Sequence, residues 1–320
     1  MKLSIVVPVY NEEVNLPTLA ERVAATFAGR DVDWELILVN DNSRDNSWKI
    51  IGELNARDGR VVGVALSRNF GQQPAIAAGL AVAVGDVAAV MDADLQDPPE
   101  LLLDMLAKIG EGYDVVYAMK RSRGEKLLRR TVFNLFYTIQ TRLAEPKMVV
   151  GAGTFCMMTR RVIEVLNRMR EHSRYLSGLR TYVGFKQTGV EFDRPDRMKG
   201  APQQTFSKLM RTGMDAIFAY SYVPVRLASW LGMITVVFAL LAAGWVLYQR
   251  LVTHTAITGW TSTMVSYLFI GAVQLICLGI LGEYVARIYE EVRHRPLFIV
   301  AETVGLEAEQ AKEGEAPPPQ

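Results

Sequence analysis

The sequence predicts an α/β domain built on a parallel sheet and joined, on its C-terminal side, to a pair of membrane-spanning helices. Three observations carry this reading. Short continuous apolar runs alternate with amphipathic segments through the first 120 residues, the pattern of strands covered on both faces by helices. Two long apolar runs follow Arg226. Polar and acidic residues recur where the early apolar runs end, at the sheet edge where such folds place ligands.

The elements follow in order. Leu3–Val7 (LSIVV) is a short β-branched run, and Val14, Leu19, Val23 and Phe27 then fall on one helical face. Trp34–Val39 (WELILV) is the second strand, followed by a helix through Trp48, Ile51 and Leu54. Val61–Leu66 is the third strand and Pro74–Val84 an alanine-rich helix. Val87–Met91 (VAAVM) is the fourth strand, Pro99–Ile109 a helix and Tyr113–Ala118 the fifth strand.

From Leu227 to Tyr248 the chain has no Asp, Glu, Lys or Arg over 22 residues, enough at about 1.5 Å per residue to span a hydrocarbon core of about 30 Å. Met264–Gly282 is a second such run, with Gln274 its one strongly polar group. The polar stretch Gln249–Thr263 between them makes a hairpin, with spans at about 227–248 and 264–285. The alternative is a pair of helices buried in a soluble core. Arg250 is alone in the connection, whereas Lys208, Arg211 and Arg226 precede the hairpin and Arg287, Arg293 and Arg295 follow it. The excess of basic residues outside the hairpin predicts a two-pass protein of the inner membrane with both termini cytoplasmic. Leu3–Val7 is too short for a cleavable signal peptide and is broken by Pro8 and Asn11-Glu12-Glu13. Thr205–Tyr222, with Phe206, Leu209, Met210, Met214, Ile217 and Phe218, reads as an amphipathic interfacial segment. The expected division is therefore a cytoplasmic domain at 1–204, an interfacial helix at 205–226, the hairpin at 227–285 and a cytoplasmic segment at 286–320. From about residue 302 that segment, with five Glu and Pro317-Pro318-Pro319, is expected to be disordered.

Composition removes several functions. Lys and Arg total 35 against 34 Asp and Glu, a net charge of +1, so the chain does not read as a nucleic-acid binder. Two cysteines, Cys156 and Cys277, exclude a disulfide framework and a cysteine zinc cluster. His172, His254 and His294 are scattered, so metal chemistry would run on carboxylates. No G-x-G-x-x-G follows the first strand and no G-x-x-x-x-G-K-[ST] occurs.

The strand ends carry the chemistry. They read Pro8-Val9-Tyr10-Asn11-Glu12, then Asn40-Asp41-Asn42-Ser43 with Asp45 beyond, then Asp92-Ala93-Asp94-Leu95-Gln96-Asp97. Neighbouring carboxylates repel unless something positive is bound. Asp92 and Asp94, two apart on an extended loop, suit one hard divalent cation, Mg²⁺ or Mn²⁺, which also takes phosphate and water oxygens. A lone Asp-x-Asp is as often a capping or loop pattern. Here three strand-end clusters agree.

The set PVYNEE, VNDNSRDNS, LSRNFGQQPAIAAGL and MDADLQDPPE, with LGEYVARIYEEVRHRPLFIV after the hairpin, resembles the GT-A glycosyltransferases of family 2. More narrowly it is similar to the dolichol- and undecaprenyl-phosphate sugar transferases, over roughly residues 3 to 300. The resemblance implies a Rossmann-like nucleotide-diphospho-sugar transferase (GT-A) domain and an inverting transfer from a UDP- or GDP-linked sugar to polyprenyl phosphate, giving a lipid-linked sugar for cell-envelope glycans. It further implies that Pro8, Tyr10 and Glu12 line the nucleotide pocket, that Asp41 bonds the base and that Val39 and Ala93 are substrate-binding. Asp92, Asp94 and Gln96 hold the metal, and Arg121 and Arg123 approach the phosphates. Asp92, Asp94 and Arg123 are the implied catalytic set.

Lys120–Arg130 (KRSRGEKLLRR) has six basic residues and one acid, followed by Phe133, Phe136 and Tyr137. That is a basic amphipathic segment suited to a membrane interface; the plainer alternative is a solvated helix face. Where the resembled family commonly has a Gly-Glu-Ser-Lys-Tyr-like run, this chain has Gly200-Ala201-Pro202-Gln203-Gln204, and Arg197 and Lys199 are the candidates to supply the missing charge. The rival readings are a processive polysaccharide synthase, which this chain resembles less for want of a Gln-x-x-Arg-Trp motif and further spans, and an idle nucleotide-sugar-binding scaffold. The expected partners are a nucleotide sugar, a polyprenyl phosphate and the bilayer. A homo-oligomer is compatible with this reading.

Overall fold

A computed structural model describes residues 1–120, 152–169, 171, 174–192, 223–248, 252 and 259–306. The chain divides into two compact units, a sheet unit that takes in the N-terminal part and the chain from His294 onward, and a helical unit.

The sheet unit is built from β1 (Lys2–Val9), α1 (Leu16–Phe27), β2 (Asp33–Asn40), α2 (Ser47–Arg57), β3 (Val61–Leu66), α3 (Gln72–Val82), β4 (Val87–Val90), α4 (Leu101–Gly110) and β5 (Val115–Lys120). It continues with β6 (Ala152–Thr159), α5 (Arg160–Arg168), α6 (Leu176–Tyr182) and β7 (Gln187–Phe192). A last strand, β8 (Val300–Val304), follows the helical unit in sequence. Among the described residues eight strands form one sheet, ordered β7-β5-β6-β4-β1-β2-β3-β8. The centre, β4-β1-β2-β3, is parallel as expected, with Val6 facing Ile37 on one side and Val90 on the other. The sheet as a whole is mixed, because β6 runs antiparallel to β4 and β5, and β8 runs antiparallel to β3.

Alternation along each strand sorts the core into two layers. Leu3, Ile5, Val7, Leu36 and Leu38 pack with Leu19 and Val23 of α1, Ile51 of α2 and Met105 of α4. Val6, Ile37, Val39 and Val64 pack on the opposite face with Ile76 and Leu80 of α3, Ile163 and Leu166 of α5 and Leu179 of α6. Helix α3 packs tightly against the sheet. A Cβ at Gly79 would collide with Val6 and lie 3.0 Å from Val39 Cγ2, so the close approach needs glycine.

The expectation of disorder from about residue 302 is corrected at its start. Val300–Val304 closes the β3 edge of the sheet, and Trp48 Nε1 donates to Glu302 Oε2 at 2.9 Å. An edge strand needs backbone pairing more than an apolar pattern, which is why its composition reads like a tail. Residues 307–320 lie outside the described residues.

The helical unit contains α7 (Val223–Tyr248) and α8 (Trp260–Val292). Cys277 Sγ of α8 lies 3.5 Å from the Ala228 carbonyl oxygen of α7. Both helices outrun the apolar runs that predict them: α7 begins four residues before Leu227, and α8 extends past residue 285. Helix α8 ends where His294 takes a left-handed conformation (φ 48°), followed by Pro296. Among the described residues one helix, Val265–Val292, is long and apolar enough to cross a membrane; in α7 the apolar stretch is shorter, Trp230–Ala242. None of the apolar window of Val265–Val292 is buried.

Candidate active site

The carboxyl ends of β1, β2, β3 and β4 lie side by side because these strands are parallel neighbours, and the expected polar loops therefore meet at one edge. The loops after β1 and β2 are tied together. Asn11 N donates to Ser43 Oγ at 3.0 Å, Glu12 N to Ser47 Oγ at 3.0 Å and Glu13 N to Asp45 Oδ2 at 3.1 Å, while Arg44 N donates to Asn11 Oδ1 at 2.8 Å. Asn11 and Asn42 adopt positive φ (56° and 54°), which asparagine tolerates better than most residues. Burial alone would push the Asp45 carboxyl up. The Ser47 hydroxyl and the Ser47 and Glu13 amides outweigh it and hold the group below its ordinary value.

Asp41 is almost fully buried, and its two oxygens accept the backbone amides of the loop after β3: Phe70 N on Oδ1 at 2.7 Å and Gly71 N on Oδ2 at 2.8 Å. The resemblance gave Asp41 to the base; the structure places it where it holds this loop. Arg68 in the same loop lies over the Phe70 ring, 4.2 Å from its centroid.

After β4 the Asp92–Asp97 loop is held from both sides. Asp97, buried, accepts Asp92 N on Oδ2 at 3.1 Å, and Asp94 Oδ1 accepts Gln96 N at 3.1 Å. Between them Leu95 sits at φ 61°, strained for a bulky residue, with its side chain locked in the core. Asp92 and Asp94 are half-buried, and Gln72 Nε2 donates to Asp92 Oδ1 at 2.7 Å. Among the described residues no group of three or more His, Cys, Asp or Glu side chains converges on one point. The donor set nonetheless fits a hard cation. Two carboxylates would supply part of the coordination of Mg²⁺ or Mn²⁺, which readily takes the rest from phosphate and water oxygens.

The sequence-predicted residues divide in three. Pro8, Tyr10, Glu12, Asp92, Asp94 and Gln96 reach the surface of this edge, Tyr10 with 40% of its area exposed. Val39, Asp41 and Ala93 are buried beneath it. Arg121, Arg123, Arg197, Lys199 and the amphipathic segment Thr205–Tyr222 lie outside the described residues. Sequence reasoning missed Gln72 and gave Asp97, though named in the strand-end cluster, no role of its own. A polar pair opening a helix straight after a glycine was the signal available for Gln72.

Residues 4–166 match the family described as Glycosyl transferase family 2. The chain belongs to this family. Residues 223–288 match a second description, the GtrB C-terminal hairpin, which covers most of α7 and α8. This glycosyltransferase is 40% identical over 308 residues to the uncharacterized glycosyltransferase YkcC of Bacillus subtilis, covering 96% of this chain and 95% of that one. It is 35% identical over 301 residues to the bactoprenol glucosyl transferase of Shigella phage SfV, covering 94% and 98%. A crystal structure of mannosyl-3-phosphoglycerate synthase from Rubrobacter xylanophilus is similar at a TM-score of 0.46 and 18% identity, over 68% of this chain and 72% of that one.

Proposed function

We propose that this glycosyltransferase moves a sugar from a UDP- or GDP-linked donor to a polyprenyl phosphate at the cytoplasmic face of the inner membrane. The observation that carries this reading is the likeness to a bactoprenol glucosyl transferase over nearly the whole of both chains, hairpin included.

In this reading Pro8, Tyr10 and Glu12 from the first loop, with Val39 and Ala93 behind them, form the nucleotide pocket. Asp41, buried beneath the pocket, shapes it through Phe70 and Gly71. Asp92 and Asp94, with Gln96, would hold Mg²⁺ or Mn²⁺ where the donor diphosphate binds. When bound, the cation stabilises as a Lewis acid the negative charge that develops on the leaving nucleoside diphosphate. Arg121 and Arg123 hold the acceptor phosphate, and Arg197 and Lys199 add positive charge near the donor. A phosphate oxygen of the lipid bonds to the anomeric carbon as the bond to the diphosphate breaks, and that electron pair leaves with the nucleoside diphosphate. A lipid monophosphate has a second pKa of about 6 and is mostly ionised at pH 7, so the attack needs no strong base. In-line displacement inverts the anomeric centre.

The test incubates membranes containing the protein with polyprenyl phosphate and a panel of labelled UDP- and GDP-sugars. A lipid-linked, anomerically inverted product supports the reading; no lipid product with any donor removes the acceptor assignment. Topology has its own test. A reporter fused after Leu306, beyond β8, should be cytoplasmic, and one inserted near Thr258 should lie outside.

A further inference from the structure

We infer that Gln72 is a positioning residue for the Asp92 carboxylate and that Asp41 acts through it, so that the loop after β3 tunes cation binding at the end of β4. This rests on the metal reading proposed above.

The argument begins at Asp41. A buried carboxylate that accepts two backbone amides makes two charge-assisted bonds, here at 2.7 and 2.8 Å to Phe70 and Gly71. Those bonds fix the two residues immediately before α3. Gly71 takes φ 98° and ψ 166°, a conformation open to glycine and strained for other residues, and its carbonyl accepts Ala75 N at 3.2 Å. The start of the helix is thereby set in place and direction. Its body is equally fixed, since Ala75 to Leu80 are all buried and Gly79 lies against Val6 and Val39.

On this fixed base the first two residues of α3 reach in different directions. Gln73 Oε1 accepts Leu176 N, at the start of α6, at 2.8 Å. Gln72, exposed at the open edge, gives its amide to Asp92 Oδ1 at 2.7 Å. An ionised carboxylate only accepts, so the NH₂ end of the glutamine must face it. A neutral donor suits this position. It orients the carboxylate plane without cancelling the charge a cation needs, whereas Lys or Arg would occupy the cation's place. Hydrogen-bonded partners that orient metal-binding carboxylates commonly contribute 10- to 100-fold in metal affinity, on the order of what is expected here.

The test titrates Mn²⁺ into the full-length protein, with UDP and with GDP in separate series, and reads free Mn²⁺ by electron paramagnetic resonance. Gln72→Ala should weaken Mn²⁺ binding about tenfold while the thermal transition stays in place, and its transfer rate should return to within about twofold of wild type at saturating Mn²⁺. Asp41→Asn should weaken binding in the same direction. Combined with Gln72→Ala it should add little, because the two changes act through one link. Because Asp41 is buried, its variant is judged only if its thermal transition remains cooperative; Gln72→Ala decides alone otherwise. Wild-type affinity in Gln72→Ala would overturn the inference and leave the metal reading standing. A wild-type protein that binds no Mn²⁺ with either nucleotide would overturn both.

Discussion

In the sheet unit Ile5, Leu36 and Leu38 are fully buried, whereas in the helical unit Phe238, Leu240, Tyr267 and Leu275 leave 65–73% of their surface exposed. Side chains of similar apolar character are thus treated in opposite ways within one chain. A water-soluble unit removes such groups from solvent and leaves charge at its surface. A helix that shows large apolar groups on all sides matches a hydrocarbon surrounding instead. The charged groups complete the contrast. The sheet unit gathers Asp92, Asp94 and Glu12 at one edge, while α7 between Leu227 and Tyr248 has no charged residue at all.

If the carboxylates at that edge serve chemistry and not stability, Asp92→Asn and Asp94→Asn should each lower transfer by a thousandfold or more. That corresponds to about 4 kcal/mol of lost charge stabilisation. The thermal transition of the sheet unit should stay within a few degrees of wild type, and EDTA should reproduce the loss in the unmodified protein. Full activity in EDTA would remove the cation from the scheme.

The two treatments of leucine predict opposite mutational responses. Leu38→Ala, deep between β1 and β3, should cost about 2–5 kcal/mol through lost burial and a cavity. Leu275→Ala should cost far less, having no tight core to vacate. Leu275→Arg should lower membrane insertion by about 2.5–3.5 kcal/mol, read as a drop in the membrane-integrated fraction. On a solvated helix the same change would stay within about 0.5 kcal/mol. A Leu275→Arg protein that inserts and assembles normally would take α8 out of the bilayer.

What was legible in the sequence follows the same physical division. Strands β1 to β4 were legible because a strand buried on both faces is apolar almost throughout, and LSIVV, WELILV and VAAVM are so but for Ser4 and Glu35. These two are buried as a bonded pair, Ser4 Oγ donating to Glu35 Oε1 at 2.5 Å. The hairpin was legible because lipid imposes an even stricter rule. Strand β8 was not: VAETV pairs by backbone at an edge, and its Glu302 reads as solvated although it accepts from Trp48. Nor was the reversal at β6, since strand direction leaves no mark on composition. In the site, the acidic loops were visible as a recurring pattern. The bond between Gln72 and Asp92 was not, because it depends on how far α3 stands from β4 and not on any spacing along the chain.

Arg121 and Arg123 give an effect of intermediate size. Each should contribute about 1.5–3 kcal/mol if it bonds a phosphate, so alanine should cost about ten- to a hundredfold in acceptor kinetics. A solvated face would change transfer by less than about twofold. Lysine should recover only part of the loss, because it lacks the bidentate geometry of arginine. The measurement varies the acceptor at saturating donor and determines donor affinity separately. A loss confined to donor affinity would place these arginines on the donor diphosphate.

The smallest effect concerns Asp45, which couples the loops after β1 and β2 without touching the cation loop. Its Oδ1 accepts Ser47 Oγ at 2.6 Å and Ser47 N at 3.0 Å, and its Oδ2 accepts Glu13 N at 3.1 Å. These bonds favour the ionised form and lower the group's pKa in the folded protein. The sign follows from linkage. A carboxyl that is more acidic when folded stabilises the fold above its unfolded pKa of about 3.9, and the contribution fades as pH falls through that value toward the folded one. Asp45→Asn keeps the shape and removes the charge. Its Tm should therefore lie below wild type at neutral pH by an amount on the order of one to two degrees, since the group is half-buried and partly screened by solvent. The gap should begin to narrow as pH drops below about 4, where Asp45 of the unfolded chain takes up its proton, and close only below the lower folded value. Taking the difference between the two proteins at each pH cancels the titration of their other carboxylates. A gap that is constant from neutral pH to pH 3 would mean that the loops are joined by the shape of residue 45 and not by its charge.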